Sequence, residues 1–224
     1  MKNLLCVLMT LVAAVQARAD EPIYAGKPLS SWVEALKSDN LFERGRACVA
    51  LGEIGPGAKD AVPALAERVR DDPDARVRAV AALALGKIGP PAHTAAPALG
   101  IALKNENPRV RAAAALALGA IGPCEEVRKE CPRLVLALLD GSSEAREAAT
   151  LSLRELAPLV VPPLTQGLDH EDRTIRAFAA FALGKIGPKA RDALPALREA
   201  ATDDPDPRVR QAARQAVKQI GWEI

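Results

Sequence analysis

The sequence predicts an all-α fold, a right-handed α-solenoid of about six antiparallel helix pairs. Ala75–Pro90 has the sequence A-R-V-R-A-V-A-A-L-A-L-G-K-I-G-P, and near-copies occur at Pro108–Pro123 and Arg173–Pro188. Successive unit ends are separated by 34, 33, 35, 30 and 34 residues. The residues compared are Gly55, Gly89, Gly122, Ala157, Gly187 and Gly221. A fixed period in this range is typical of stacked repeats, because one unit cannot bury its apolar face alone.

Residues 1–19 have the pattern of a cleaved export signal. Lys2 precedes the apolar run Leu4–Val15, and Ala17–Ala19 fits a cleavage site before Asp20. As a helix the run would span only about 18 Å, short of the ~30 Å bilayer core, which disfavours the alternative of a permanent anchor. We therefore expect an exported protein, periplasmic or extracellular, with no membrane span after cleavage and with residues 20–27 as a linker.

The charge balance disfavours nucleic acid as a partner. Removal of Lys2 and Arg18 leaves 28 of the 30 basic residues against 28 acidic ones. A nucleic-acid-binding protein usually has a basic excess, because neutralising phosphates drives its affinity. The balanced charge therefore predicts no nucleic-acid partner.

Whether the cysteines are expected to form a disulfide depends on the compartment of the protein. In an exported chain, Cys124 and Cys131 are candidates for a disulfide that closes a short loop between the third and fourth units. Such a link would contribute somewhat under ~3 kcal/mol. The alternative is two unrelated thiols. Cys48 replaces an alanine of the helical pattern, so we expect it to be buried.

Each unit is predicted to contain two helices, A and B. Helix A begins near a proline, whose missing N–H is tolerated in a first turn. These prolines are Pro28, Pro63, Pro97, Pro132, Pro162 and Pro195. Helix B follows an N-cap residue, which is Asn40, Asp74, Asn107, Ser142, Asp172 or Asp206, and generally ends at Gly-Pro. The predicted units are approximately 28–59, 60–93, 94–130, 131–159, 160–191 and 192–224.

These features resemble the HEAT-like repeat of the phycobilisome-lyase type, a family of armadillo-like superhelices. The V-R…A-L-G-x-I-G pattern carries the resemblance, which covers residues 28–224. It implies a structural ladder in which an acidic residue six positions before the helix-B arginine pairs with arginines. The arginines are Arg44, Arg78, Arg111, Arg146, Arg176 and Arg210, and the acidic residues are Asp72, Asp140 and Asp204. Because Ser38, Asn105 and His170 occupy the acidic position elsewhere, we expect a partial ladder, with Arg44, Arg111 and Arg176 needing other acceptors.

Motifs for catalysis are missing from the sequence. It has no Gly-x-Ser-x-Gly elbow, Walker loop, Cys-x-x-Cys or His-Glu-x-x-His. The resemblance also brings in deoxyhypusine hydroxylase, whose di-iron site implies several His-Glu dipeptides, whereas this chain has only His170-Glu171. The sequence therefore predicts that the chain is not an enzyme and has no catalytic, metal-binding or cofactor-binding residues.

The outer face of helix B is the candidate contact surface. At 100° per residue, Val77, Ala81, Ala84, Leu85 and Ile88 form the core stripe of one helix B. The resemblance implies that helix B lines the concave surface, so its opposite face could receive a peptide or protein. The candidate partner-binding residues are Arg76, Leu83, Lys87, Arg109, Leu116, Phe178, Phe181 and Lys185. In the alternative, these leucines fill the seams between stacked units, and their exposure decides between the two.

The sequence thus predicts a non-catalytic exported scaffold that binds a protein or peptide partner on the helix-B face. One alternative is an enzyme or an accessory or maturation factor of the HEAT-like lyase type. Another is a purely structural spacer.

Overall fold

The computed structural model describes residues 21–221, which form six helix pairs arranged in two layers. The first helices of the pairs are α1 (Leu29–Ala35), α3 (Val62–Asp71), α5 (Ala96–Ala102), α7 (Glu125–Leu136), α9 (Ala157–Gln166) and α11 (Leu194–Asp203). The second helices are α2 (Leu41–Ile54), α4 (Ala75–Ile88), α6 (Pro108–Ile121), α8 (Ser143–Glu155), α10 (Arg173–Ile186) and α12 (Pro207–Ile220). Short 3-10 segments lie at Gly55–Ala61, Pro90–Ala95, Ala137–Leu139, Gly167–Asp169 and Gly187–Ala193. The all-α prediction is confirmed, and the predicted export signal lies outside the described residues.

A small antiparallel hairpin precedes the first helix pair. Its strands are β1 (Ile23–Tyr24) and β2 (Lys27–Pro28). The indole Nε1 of Trp32 donates to the Tyr24 carbonyl at 3.1 Å, which ties the hairpin to α1. The predicted linker, residues 20–27, is therefore folded onto the array over its described part.

The even-numbered helices begin and end through the local signals in the sequence. The side chain of Asp74 accepts a hydrogen bond from the Arg76 N–H at 2.8 Å, and four other predicted caps do the same. Ser142 occupies its cap position without such a bond. At the other end of α4, Gly89 has φ 73°, a left-handed conformation that favours glycine and stops the helix.

The fourth and fifth units differ from the predicted pattern at their first helices. Helix α7 begins at Glu125 and α9 at Ala157, so Pro132 and Pro162 lie inside these helices. The fourth unit therefore starts well before the predicted boundary at 131.

The predicted Cys124–Cys131 disulfide is wrong, because both thiols are free. Cys124 caps α7, and Cys131 lies in the same helix about 10 Å further along its axis. Cysteines whose Cα atoms are more than about 7 Å apart cannot be bridged. Burial raises the pKa of the Cys131 thiol to about 11 and that of the Cys48 thiol, which is fully buried as predicted, to about 12.

The apolar core lies between the two helix layers. The predicted core stripe of α4 is buried, with no member more than 3% exposed. Its members are Val77, Ala81, Ala84, Leu85 and Ile88. Within residues 21–221, no helix combines the length and apolar character needed to cross a bilayer.

Close packing between successive even-numbered helices depends on a glycine. A Cβ on Gly86 would lie 3.1 Å from the Ala117 Cα, and one on Gly119 would lie 2.8 Å from the Ser152 Cα. In the fourth unit Arg154 occupies this repeat position, and α8 packs only loosely on α10. We call this gap between α8 and α10 the 4/5 seam.

Candidate functional site

Three of the helix-B arginines bind an aspartate of the following unit. The pairs are Arg44–Asp72, Arg111–Asp140 and Arg176–Asp204, each joined by two hydrogen bonds of 2.6–3.1 Å. The prediction that these three arginines need other acceptors is therefore wrong. The hydrogen bond from the arginine holds the pKa of Asp140, and likewise that of Asp204, below its ordinary value.

A second contact keeps each helix-B arginine on the turn of its own unit. Its Nη1 donates at 2.6–2.9 Å to the backbone carbonyl six residues earlier. We call this residue the turn acceptor; the six are Ser38, Asp72, Asn105, Asp140, His170 and Asp204. Each turn acceptor's side chain also accepts from the backbone N–H two residues later. Ser, Asn and His therefore satisfy the turn, but only Asp supplies the carboxylate for the preceding arginine.

Two unit interfaces consequently lack an aspartate at the turn-acceptor position, although the Arg78 Nη2 lies 3.8 Å from the Oε1 of Glu106. The unit after Arg78 has Asn105 as its turn acceptor, and the Arg78 Nε is buried with no hydrogen-bond partner in the described part of the chain. The unit after Arg146 has His170. Arg146 donates through Nη1 to the Asp140 carbonyl at 2.6 Å, and no carboxylate within residues 21–221 pairs with it.

The face of the even-numbered helices opposite the core is open and apolar. We call Val49, Leu83, Leu116, Leu151 and Phe181, which share one repeat position, the apolar row. Leu83 is 42% and Leu116 38% exposed, and Phe181 is half-buried. These leucines do not fill the seams between units. That a partner binds them stays a prediction.

Three of the predicted partner-binding residues line one groove. Leu83, Arg109 and Leu116 surround a space of about 380 Å³ on the open face of α4, α6 and α8. Glu144 and Glu147 line the same groove and give it an acidic edge that the sequence analysis missed. The available signal was the repeat position, since Glu144 stands where the preceding unit has Arg109.

Two of the predicted cations are already paired within the protein. The Arg76 Nη2 lies 2.7 Å from the Asp74 Oδ2, and this hydrogen bond lowers the pKa of Asp74. Lys87 pairs with Glu53 across the first two units. Because their charges are already paired, Arg76 and Lys87 would bind an acidic group of a partner more weakly than unpaired cations would.

The remaining predicted residues lie on α10, beyond the 4/5 seam. The ring centroids of Phe178 and Phe181 are 6.1 Å apart and the rings are nearly parallel. The Lys185 Nζ lies 5.4 Å from the Phe181 centroid, within cation–π range. Because α10 packs loosely on α8, the predicted residues form separate groups instead of one continuous groove.

A larger groove at the N-terminal end was also missed by the sequence analysis. It has a volume of about 550 Å³ and is lined by Tyr24, Phe42 and Val49, among others. Phe42 is 69% exposed and extends the apolar row toward the hairpin. Tyr24 belongs to the segment predicted as a linker, which is why the groove was not foreseen.

Groups with obvious chemical reactivity are scarce in the described part of the chain. Residues 21–221 hold no cluster of three or more His, Cys, Asp or Glu side chains suited to a metal ion. Glu130 is a buried acid, but it pairs with Arg133 and occupies the space that a side chain at position 100 would need. We therefore interpret the buried Glu130 side chain as part of the packing between α5 and α7.

Stacked helix pairs joined by an arginine ladder define an α-solenoid repeat protein. The family described as HEAT repeats matches residues 29–99, 72–154 and 131–218. The chain therefore belongs to the HEAT-repeat family. This confirms the resemblance inferred from the V-R…A-L-G-x-I-G pattern.

Known relatives and structures extend the family assignment. The chain is 37% identical over 93 residues to the phycocyanobilin lyase subunit beta of Thermosynechococcus vestitus (strain NIES-2133 / IAM M-273 / BP-1). This match covers 42% of the chain and 43% of the relative, so the chain spans less than half of that protein's length. The structure of an engineered protein is similar with a TM-score of 0.54 and 25% identity, over 87% of this chain and 96% of the other. The complex of CpcE and CpcF of phycocyanin lyase from Nostoc sp. PCC7120 has the same fold, with a TM-score of 0.54 and 24% identity over 90% and 81% of the chains.

The comparison corrects one expectation from the sequence. The absence of catalytic motifs predicted a chain that is not an enzyme, yet the curated relative is a subunit of a lyase. That prediction is therefore contradicted. The motifs that the sequence lacks belong to hydrolases, nucleotide-binding proteins and metalloenzymes, and a lyase subunit need not carry any of them.

Proposed function

We propose that the chain is a protein-binding factor of the lyase type, a subunit or accessory protein that holds an acceptor protein on its concave face. The single observation that carries this proposal is the exposed apolar row on the even-numbered helices. The 37% identity to a phycocyanobilin lyase subunit supports the lyase type.

The apolar row suits a protein acceptor because its members are spaced one per unit. Leu83, Leu116 and Leu151 lie on adjacent helices and share the groove that Glu144 and Arg109 border. A fully buried leucine side chain gains about 1.5–3 kcal/mol over an exposed one. Several such side chains in a line provide an anchor for an amphipathic segment, and the mixed charges beside them select its orientation.

The acceptor and the transferred group are taken from the relative's class. In this proposal the concave face holds a protein of the phycocyanin type while a bilin such as phycocyanobilin is joined to it or released from it. The chain's role is to position the acceptor, and a further subunit can contribute the remaining part of the site.

Binding of apo-phycocyanin to the purified chain tests the proposal. We expect the double variant L83E/L116E to bind it at least about 10-fold more weakly, because two anchors become charged. The matched control is I101E/L136E, which alters two residues of the odd-numbered helices, each 59% exposed. A second readout is covalent phycocyanobilin on phycocyanin, measured by mass spectrometry with and without the chain.

Two results would contradict the proposal. One is the absence of both binding and any change in the yield of covalently attached phycocyanobilin. The other is an equal loss of binding in L83E/L116E and in the control.

Export of the chain is a separate part of the proposal and rests on the pattern in residues 1–19. We expect protein recovered from its native host to begin at Asp20. The intact mass of that protein measures this, and a mass that includes residues 1–19 would refute cleavage.

A further inference from the structure

The 4/5 seam differs from the other interfaces between even-numbered helices in its packing and its charge. Arg154 replaces the glycine that permits close packing, and its Nη2 reaches the Lys185 carbonyl at 3.4 Å. The unit spacing across this interface is 30 residues, the shortest in the array. The turn acceptor beyond it is His170 instead of aspartate. The helices are therefore held apart where the ladder also loses its carboxylate.

The result is a cleft with a volume of about 250 Å³ between α8 and α10. Leu138 and Phe181 contribute apolar surface to it, and Arg146 and Lys185 contribute positive charge. Glu147 is the one acidic residue in its lining, so the cleft has an excess of positive charge. Neither Arg146 nor Lys185 has an ion-pair partner among residues 21–221.

The ladder itself indicates what Arg146 is able to bind. In Arg111, Nη1 holds the carbonyls of its own turn while Nε and Nη2 bind the two oxygens of Asp140 at 2.6 and 2.7 Å. Arg146 keeps the corresponding Nη1 bond to the Asp140 carbonyl. Its guanidinium is therefore held by one of the two kinds of turn bond that hold Arg111, and no carboxylate of residues 21–221 pairs with its Nε or Nη2. Paired N–H groups of this kind match a carboxylate in geometry as well as charge.

We propose that the 4/5 seam binds an aspartate or glutamate side chain, next to an apolar residue, from a segment of the partner protein. The carboxylate accepts hydrogen bonds from the Nε and Nη2 of Arg146, as Asp140 does from those of Arg111. The neighbouring apolar side chain packs on Phe181, and Lys185 adds a second positive charge. The assignment to a partner protein rests on the proposed function.

Two blocked peptides test this inference directly. The probes are acetyl-Gly-Leu-Glu-Phe-Gly-amide and the same peptide with glutamine in place of glutamate. We expect the wild-type chain to bind the glutamate peptide about 10-fold more tightly, because only a carboxylate forms the charge-assisted pair. The NMR signal of the Arg146 side-chain Nε–H should shift with the glutamate peptide and stay in place with the glutamine peptide.

Variants separate this site from general attraction between charges. R146Q should remove the preference for glutamate, whereas R208Q, which deletes an exposed cation of α12 outside the 4/5 seam, should keep it. R146K keeps the charge but loses the paired N–H groups, so its preference should also fall. R146K therefore tests the same pairing if R146Q does not fold.

Equal affinity for the two peptides, an unmoved Arg146 signal, or the same loss of preference in R208Q and R146Q would overturn the inference. Its failure can be told apart from failure of the proposed function. Loss of apo-phycocyanin binding in L83E/L116E reports on the proposed function, whereas the preference between the two peptides reports on the 4/5 seam, so either can fail while the other holds.

Discussion

Asn105→Asp should stabilise the protein, because it gives Arg78 the paired aspartate that Arg111 has in Asp140. The Arg78 Nε is buried and lacks a hydrogen-bond partner within the described residues. The Arg78 side chain is 12% exposed, and its Nη2 lies 3.8 Å from the Oε1 of Glu106, beyond hydrogen-bond distance. Helix α4 packs on α6 as closely as α6 packs on α8, where Arg111 binds Asp140. An aspartate at position 105 can therefore reach Arg78 without moving the helices.

The size of the effect follows from the bonds gained. A hydrogen bond to a charged group contributes about 1.5–3 kcal/mol, and a buried donor without a partner costs about 1–3 kcal/mol. Removing the new carboxylate from water offsets part of this gain. The bond that Asn105 accepts from the Asn107 N–H at 3.0 Å is kept, since aspartate accepts it equally well. We expect a net increase of about 1–2 kcal/mol in the free energy of unfolding.

Urea unfolding followed by circular dichroism measures this change. The matched control is Asn105→Ser, which keeps a side chain that can accept the Asn107 N–H, as Ser38 accepts the Asn40 N–H in the first unit, but supplies no carboxylate. This control should change the free energy of unfolding by no more than about 0.5 kcal/mol. In an Arg78→Gln background the gain from Asn105→Asp should disappear. A change in the free energy of unfolding no larger than that of Asn105→Ser would refute the account of the ladder.

Three further predictions concern packing, pH and thiol reactivity. Gly119→Ala should lower the free energy of unfolding by about 1–3 kcal/mol, because the added methyl group meets the next helix at 2.8 Å. Gly45→Ala should raise the free energy of unfolding by about 0.5–1 kcal/mol, since nothing lies within 4 Å of the new Cβ. The same sign of change in both variants would contradict the packing argument. The pKa values of Asp140 and Asp204 are lowered in the fold, so their contribution is complete above about pH 4 and is lost as the pH falls toward the folded-state values. Urea midpoints from pH 6 to pH 3 measure this, and equal sensitivity in an Asp140→Asn, Asp204→Asn variant would contradict it. The Cys131 thiol, with its pKa raised to about 11, should react with iodoacetamide at pH 7.5 far more slowly than free glutathione; equal rates would contradict its burial.

The helix pairs could be predicted from sequence because their signals are local. Asp74 caps the helix that it immediately precedes, and Gly89 ends that helix through its own backbone conformation. The start of α7 was not predicted, since Pro132 resembles the first-turn prolines of other units but lies inside a longer helix. That difference also separated Cys124 from Cys131 and invalidated the proposed disulfide.

The ladder and the 4/5 seam depend on contacts between units, which are harder to infer. The six-residue spacing from Asp140 to Arg146 pointed to a pair within one unit, whereas the Asp140 carboxylate binds Arg111 of the unit before. At the seam, Arg154 and His170 each look like an ordinary variation of the repeat. Only the structure shows that both fall at the interface where the even-numbered helices separate.

Methyl NMR of the leucine-labelled chain with apo-phycocyanin tests the claim that the open face of the even-numbered helices is the binding surface. We predict that the methyl signals of Leu83, Leu116 and Leu151 shift on addition of the acceptor. The signals of Leu136 and Leu139, exposed by 59% and 62% outside the apolar row, should stay in place. Shifts confined to Leu136 and Leu139, or no shifts at all, would contradict the account.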